Sequence, residues 1–261
     1  MLDLCALWVG GFLTKLASAC LNSAVKVGHP VYLYTYYPVP NPPPGVVLRN
    51  ARDILPENRM LRFRGKGSFA LGSDIFRYEL QRQKAGCWID TDVFILRPII
   101  LDSPCLFGWE DRNSINSAVL YLKHDSSLLS DLLDLVYSHP VIPPWWPIEE
   151  QIKQRYLGSE NRARPLEYLD WGVIGPQAVT YYAGRHNLAH IAKPTDVYYP
   201  FHWSEAKFLF DPTFDIDSHI TQNTCAVHLW NTLIQDFMKQ KPAPGSFMSQ
   251  VFSFLPDNYP S

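Results

Sequence analysis

The chain has 261 residues, 47% of them hydrophobic and 14% aromatic, with a formal net charge of −2. This supplies enough apolar material for one large α/β domain or two small ones. With no basic surplus, the composition excludes a protein whose affinity for nucleic acid comes from neutralising phosphates, although a local basic pocket stays open.

The first elements read as β-α-β. Leu4 to Val9 is a continuous apolar run ending at Gly10-Gly11, as a buried parallel strand would be. Leu13, Leu16, Ala17, Cys20, Leu21 and Ala24 follow helical spacing, and Gly28 stands where a helix C-terminus wants a glycine. Val31 to Tyr36 is a second strand, so a parallel sheet with a right-handed crossover is expected. Tyr37 to Gly45 holds five prolines and is a loop; Val46 to Leu48 is a candidate third strand. Arg59 to Lys66 carries four basic residues among glycines and reads as a solvated loop.

Ser73-Asp74-Ile75-Phe76-Arg77-Tyr78 opens a helix running to about Ala85, with Ser73 as its cap and Asp74 in its first turn. Asp74, Arg77 and Tyr78 share one face by their i, i+3, i+4 spacing. The chain then passes into Gly86-Cys87-Trp88-Ile89-Asp90-Thr91-Asp92-Val93-Phe94-Ile95. A buried strand accounts for the apolar residues but not for two aspartates one residue apart. Aspartate is a poor strand residue, and a buried carboxylate is costly unless paired. A divalent cation such as Mn²⁺ or Mg²⁺ is their natural partner; the alternative is a strand end with two solvated aspartates. Ligands of open α/β sheets sit at the carboxyl ends of strands, so Asp74, Arg77, Asp90 and Asp92 are expected at one rim.

Cys105 to Trp109 and Asn116 to Leu122 continue the sheet, and Ser127 to Tyr137 is an amphipathic helix. Residues 139–165 change character. Trp145-Trp146 there would either present a sugar- or lipid-binding surface or form a packing corner. Pro176 starts a helix over Gln177 to Gly184. Cys225 to Trp230 is a late strand whose His228 is either a core histidine or a ligand. The tail after Asn231 reads mostly as loop.

The five cysteines (Cys5, Cys20, Cys87, Cys105, Cys225) are widely spaced, with no C-x-x-C, so neither a zinc site nor a disulfide framework is indicated. A reducing compartment follows. The apolar start, Leu4 to Leu13, is short of the roughly 20 residues of a membrane span, and Asp3 does not suit a signal peptide. A cytoplasmic protein is expected, with a peripheral contact at the inner face of the membrane left open.

Several stretches together resemble glycosyltransferase family 32, the D-x-D sugar-binding transferases, and more distantly the large clostridial glucosylating toxins. They are Leu7-Trp8-Val9-Gly10, Gly28 to Tyr34, Ser73 to Tyr78, Gly86 to Asp92, Asn116-Ser117-Ala118, Gly175-Pro176 and His228-Leu229-Trp230. The resemblance covers the first half well and residues 140–225 weakly. It implies an α/β fold of GT-A type, a Rossmann-like mixed sheet flanked by helices with irregular C-terminal additions. It further implies one glycosyltransferase domain over 1–261, with a nucleotide-sugar half at 1–138 and an acceptor-side half at 139–261. The implied activity is metal-dependent, retaining transfer of a hexose from a nucleotide sugar of the UDP-sugar kind to a glycan or lipid-linked acceptor, such as a surface polysaccharide precursor. Donor contacts are implied for Leu7, Trp8, Val9, Asp74, Arg77, Trp88, Asn116 and Trp230. Catalytic and metal roles are implied for Asp90 and Asp92, with His228 as a third ligand to Mn²⁺ or Mg²⁺. Relatives carry Gly-Gly and then Tyr where this chain has Ala85-Gly86 and Trp88, which can stack on a base or sugar but offers no hydroxyl.

The residues fit that chemistry independently. A metal at Asp92 would neutralise a departing nucleoside diphosphate, and Arg77 adds a fixed cation. Glu110, Asp111 and Asp170 are the carboxylates available near an anomeric carbon, and the sequence does not choose among them. Two rivals remain. A haloacid-dehalogenase-type phosphatase also uses D-x-D after a strand, but nearer the N-terminus. A non-catalytic carbohydrate-binding protein of the same fold is the other. A glycosidase fits less well, because D-x-D is not a pair set across a scissile bond.

Overall fold

The computed structural model describes residues 1–65, 67–257 and 259. Its strands are β1 (Leu4–Trp8), β2 (Val31–Thr35), β3 (Val46–Asn50), β4 (Cys87–Ile89), β5 (Val93–Ile95), β6 (Cys105–Trp109), β7 (Ile115–Leu122) and β8 (Ala226–His228). The longer helices are α1 (Lys15–Val27), α2 (Ala70–Arg82), α3 (Ser127–Tyr137), α4 (Ile148–Ser159) and α5 (Pro176–Arg185). Shorter helices follow at α6 (Thr195–Tyr198), α7 (Asn231–Ile234) and α8 (Phe247–Phe252), with a 3₁₀ helix at Trp203–Phe210.

Six strands form one sheet in the order β3-β2-β1-β4-β7-β6, and β5 and β8 form a separate pair. The first four are parallel, with Leu4 opposite both Val31 and Cys87; β7 runs antiparallel to β4 and β6. This is the Rossmann-like, GT-A-like mixed sheet expected. Strand alternation sorts its two faces. Leu4, Ala6, Cys87 and Ile89 pack with Leu13, Ala17 and Leu21 around α1, whereas Cys5, Leu7 and Trp88 face the core beneath α2, α3 and α5. α1 is held by the Thr14 hydroxyl, which accepts from the Ala17 N–H, and by Gly28 at φ 101°.

Several expectations are corrected. α2 starts at Ala70, with the Ser68 hydroxyl accepting from the Ala70 N–H at 3.2 Å. Ser73 is therefore inside the helix rather than its cap, and Asp74 lies beyond its first turn. The earlier start buries Leu71 completely. α4 crosses a stretch read only as polar, and the tail carries α7 and α8. Trp145 packs at 5.2 Å from Tyr181 and Trp146 lies under Arg164, so this tryptophan pair is a half-buried packing corner. Arg59, Arg62 and Arg64 are exposed, each over an aromatic ring; Lys66 lies outside the described residues. All five cysteines are free. Among the described residues no helix is long and apolar enough to cross a membrane.

Candidate active site

β4 ends at Ile89, but its pairing with β7 continues one residue further, through the Asp90 N–H to the Ala118 carbonyl at 2.8 Å. Asp90 is thus fixed at the carboxyl end of the strand. Trp88 and Asp90 are two residues apart and share a face; the Trp88 indole N–H donates to Asp90 Oδ1 at 2.6 Å. Trp88 is only 1% exposed, with Phe76 at 6.0 Å and the Arg77 guanidinium at 4.9 Å from its ring. A ring so covered cannot stack on a ligand, which corrects the expected donor contact: Trp88 orients Asp90 instead.

Arg77 reaches the same point from α2. Its Nη2 lies 3.2 Å from Asp90 Oδ1 and 3.4 Å from Asp74 Oδ1, while Nη1 donates to both the Ser117 carbonyl and hydroxyl at 2.7 Å. Burial pushes the Asp74 carboxyl up to about 6; Arg77 opposes that rise and Asp90 adds to it. Gly175 makes room for this carboxylate, since a Cβ there would stand 2.8 Å from both Asp74 oxygens. The Tyr78 hydroxyl donates to the neighbouring Ile174 carbonyl at 2.5 Å and ties that turn to α2.

The second half of the site comes from the β5–β8 pair. Its register sets Val93 opposite His228 and so brings His228 beside Asp92. His228 Nε2 lies 3.4 Å from Asp92 Oδ1, and Asp92 Oδ2 accepts from the Asn231 N–H at 2.8 Å. Burial alone would raise the Asp92 carboxyl; His228 and the Asn231 N–H outweigh it and hold it below the usual carboxylate range. Burial lowers His228, and Asp92 outweighs that and holds the imidazole above its ordinary value. Between β8 and α7 the chain turns at Trp230, whose φ of 53° is left-handed.

Asp90, Asp92 and His228 each offer one ligand atom, all within 4.8 Å of one another. Two carboxylates and an imidazole form an oxygen-rich donor set suited to Mn²⁺ or Mg²⁺. His228 Nδ1 and Trp230 Nε1 are buried without a hydrogen-bond partner among the described residues, and both residues line the cleft in which the cluster lies. The donor set and these orphaned polar atoms fit a site that a cation and a polar ligand complete.

The cluster lies in a cleft of about 580 Å³ that also takes in Asp74, Arg77, Asn116 and Trp230. Eight of the eleven expected residues are therefore accounted for as follows: seven line the cleft, and Trp88 stands behind it. Leu7, Trp8 and Val9 do not line it; Leu7 is in the core and Trp8 packs against the α1-side cluster. Of the three carboxylates left open, Glu110 alone lines the cleft, where it accepts from Asn116 Nδ2. Asp111 accepts from the Asn113 and Ser114 N–H groups, and Asp170 is exposed. Sequence reasoning missed Ser117 and Gly175 as supports. The Gly-Pro step before α5 was the only signal for the latter.

Comparison with known proteins adds a coarse activity. Residues 169–253 match a family model described as "Alpha 1,4-glycosyltransferase conserved region". This segment carries Gly175, His228 and Trp230 and falls in the half where the family 32 resemblance is weaker. No curated protein matches the chain. Among solved structures, one titled "PaToxG Glycosyltransferase" is similar at 12% identity and a TM-score of 0.44, covering 71% of this chain and 70% of that one. The family match supports an enzyme of the glycosyltransferase class, with a sugar donor and an acceptor.

Proposed function

We propose that the chain is a metal-dependent, retaining hexosyltransferase that uses a nucleotide sugar of the UDP-sugar kind and a glycan or lipid-linked acceptor, allied to glycosyltransferase family 32 and, distantly, to the clostridial glucosylating toxins. The observation that carries this is the convergence of Asp90, Asp92 and His228 within 4.8 Å, in the cleft that holds Asp74 and Arg77. Asp90, Asp92 and His228 would hold Mn²⁺ or Mg²⁺, which supplies Lewis-acid neutralisation of the leaving diphosphate. Arg77 adds a fixed cation, Asp74 and Asn116 accept and orient donor hydroxyls, and the orphaned Trp230 N–H donates toward the phosphates. Glu110 stands as the carboxylate facing the sugar. Residues 1–138 form the nucleotide-sugar half, and 139–261 the acceptor side that lends His228 and Trp230 to the donor. The free thiols support a reducing, cytoplasmic setting.

The test is slow hydrolysis of a nucleotide-sugar panel with Mn²⁺, Mg²⁺ or chelator, with the product anomer followed by NMR. Release of nucleoside diphosphate that chelator abolishes, and a first-formed sugar of the donor's own configuration, are expected. Metal-independent release overturns the reading. Hydrolysis of an aryl phosphate would point to the phosphatase alternative, against which Asp90 Oδ1 is already engaged by Trp88 and Arg77. No release with any donor would point to a binding protein.

A further inference from the structure

A second cavity of about 400 Å³ lies beyond the cleft, lined by Phe210, Asp236, Phe237, Gln240 and Lys241 among others. Two chain segments join the two spaces. The 3₁₀ helix begins at Trp203, which lines the cleft, and ends at Phe210, which lines the second cavity. At roughly 2 Å rise per residue it spans about 15 Å. α7 packs against this helix. Leu233 on α7 lines the cleft, and Phe237 follows it four residues later through right-handed helical backbone at Gln235 and Asp236, on the same face. Trp203 and Leu233 are each 49% exposed and Phe237 is 43% exposed. The Phe210 and Phe237 rings lie 5.6 Å apart, tilted by 31°. Leu233 and Phe237 on one face thus lead from the cleft to an aromatic pair that a carboxylate, an amide and an ammonium adjoin.

We propose that this second cavity is a distal carbohydrate subsite, which takes an inner sugar of an extended glycan acceptor whose reacting end lies in the cleft. The inference rests on the glycosyl-transfer reading. A sugar ring offers C–H groups to an aromatic face and hydroxyls to the polar groups around it, and this lining supplies both. The rim is polar: Asp236, paired with Lys239 at 2.7 Å, stands with Gln240 and Lys241 beside the rings. Such groups match sugar hydroxyls, whereas an acyl chain laid over them would displace their water and return no hydrogen bond. The size of the cleft points the same way: a nucleotide sugar is a ligand of the size such a space holds, and the rest of a long acceptor must lie outside it.

The experiment uses the full chain with Phe237→Ala and Phe237→Tyr. The probes are gluco- and galacto-oligosaccharides from monosaccharide to pentasaccharide, titrated in the presence of UDP and Mn²⁺, with octyl and dodecyl glycosides alongside. The parent should bind more tightly as the glycan lengthens. Phe237→Ala should bind the longest glycan about tenfold more weakly, with monosaccharide binding and basal nucleotide-sugar hydrolysis unchanged, and Phe237→Tyr should keep the length effect. Affinity independent of length, no binding of any glycan, or a loss equal for short and long glycans overturns the subsite. So does affinity that tracks alkyl length and falls in Phe237→Ala, which would mark a lipid site. Failure of the transferase reading is separate: it would show as absent nucleotide-sugar hydrolysis in the parent.

Discussion

The two halves of the cleft are built on opposite terms. On the α2 side, Arg77 sits between Asp74 and Asp90, gives its remaining hydrogens to Ser117 and Ser73, and lies over Trp88. On the β8 side, Asp92 is held by one backbone N–H and a long contact to His228, while His228 Nδ1 and Trp230 Nε1 have no partner among the described residues. A satisfied buried polar network fixes shape, whereas an unsatisfied one costs stability unless a ligand completes it. The first half is a frame, and the second carries the unpartnered groups that a ligand would complete.

Breaking the frame should have the largest effect. Arg77→Met keeps most of the bulk but leaves Asp74 and Asp90 facing each other with no cation. Removing one partner of a buried ion pair costs about 3–5 kcal/mol, which for a chain of this size lowers Tm by about 10 °C. Calorimetry reads it directly, and a Tm within about 2 °C of the parent would show that the frame is not structural. On the open side, Asp92→Asn should invert that pattern. Transfer should fall by about 10²–10³-fold, the usual effect of removing one group that stabilises developing charge. Stability should change by only about 1 kcal/mol. A chelator titration should also show weaker Mn²⁺ binding in this variant.

Asp74 is where the frame itself is under tension. Its carboxyl is pushed from 3.8 to about 6 by burial, even with Arg77 beside it. The folded state therefore binds a proton more tightly than the unfolded chain. Stability from this group falls as pH rises through the window from about 4 to about 6, and the cost is complete above it. Asp74→Asn carries no charge and escapes that cost. The variant should be more stable than the parent by up to about 3 kcal/mol at pH 8, with the difference closing toward pH 4. Urea melts at several pH values check this. The same variant should transfer sugar poorly, an exchange of function for stability. Equal stability of the two proteins at pH 8 would mean that Arg77 fully compensates the burial.

How far the site was legible depended on the range of the interactions that build it. Trp88 and Asp90 fall on one face by strand alternation alone, and the placing of Asp90 and Asp92 at a strand's end followed from Gly86 and the apolar run. The phase of α2 did not follow, because Ser73-Asp74 mimics a cap and hides a helix that tertiary burial of Leu71 extends backwards. α4 was hidden by its polar, largely exposed sequence after Pro147. The bond from Arg77 to Ser117 spans 40 residues and depends on the β4–β7 register. The meeting of Asp92 and His228 depends on β5 pairing with β8 across more than a hundred residues, and local pattern carries no trace of either register. The late strand alone left His228 as either a core histidine or a ligand, and the family resemblance tipped it toward the ligand.

Gly175 gives the smallest test and separates packing from chemistry. Its backbone is not left-handed, with φ −97°, so a side chain is not excluded by strain of that kind. The obstacle is the Asp74 carboxylate, both of whose oxygens would lie 2.8 Å from a new Cβ. Asp74 cannot swing away freely, because Arg77 holds one oxygen and α2 fixes its backbone. The Ile174 carbonyl is likewise held by Tyr78. Gly175→Ala should therefore cost about 1–3 kcal/mol, as overpacking of a well-filled interior does, and should displace Asp74 within the cleft. The discriminating step is the pair with Asp74→Ala, which removes the obstructing carboxylate. If the clash is the cause, the alanine at 175 becomes nearly neutral in that background, and the double-mutant cycle shows a coupling of about the size of the single penalty. An undiminished penalty in the Asp74→Ala background would place the cost in the turn before α5 and remove Gly175 from the support of the site.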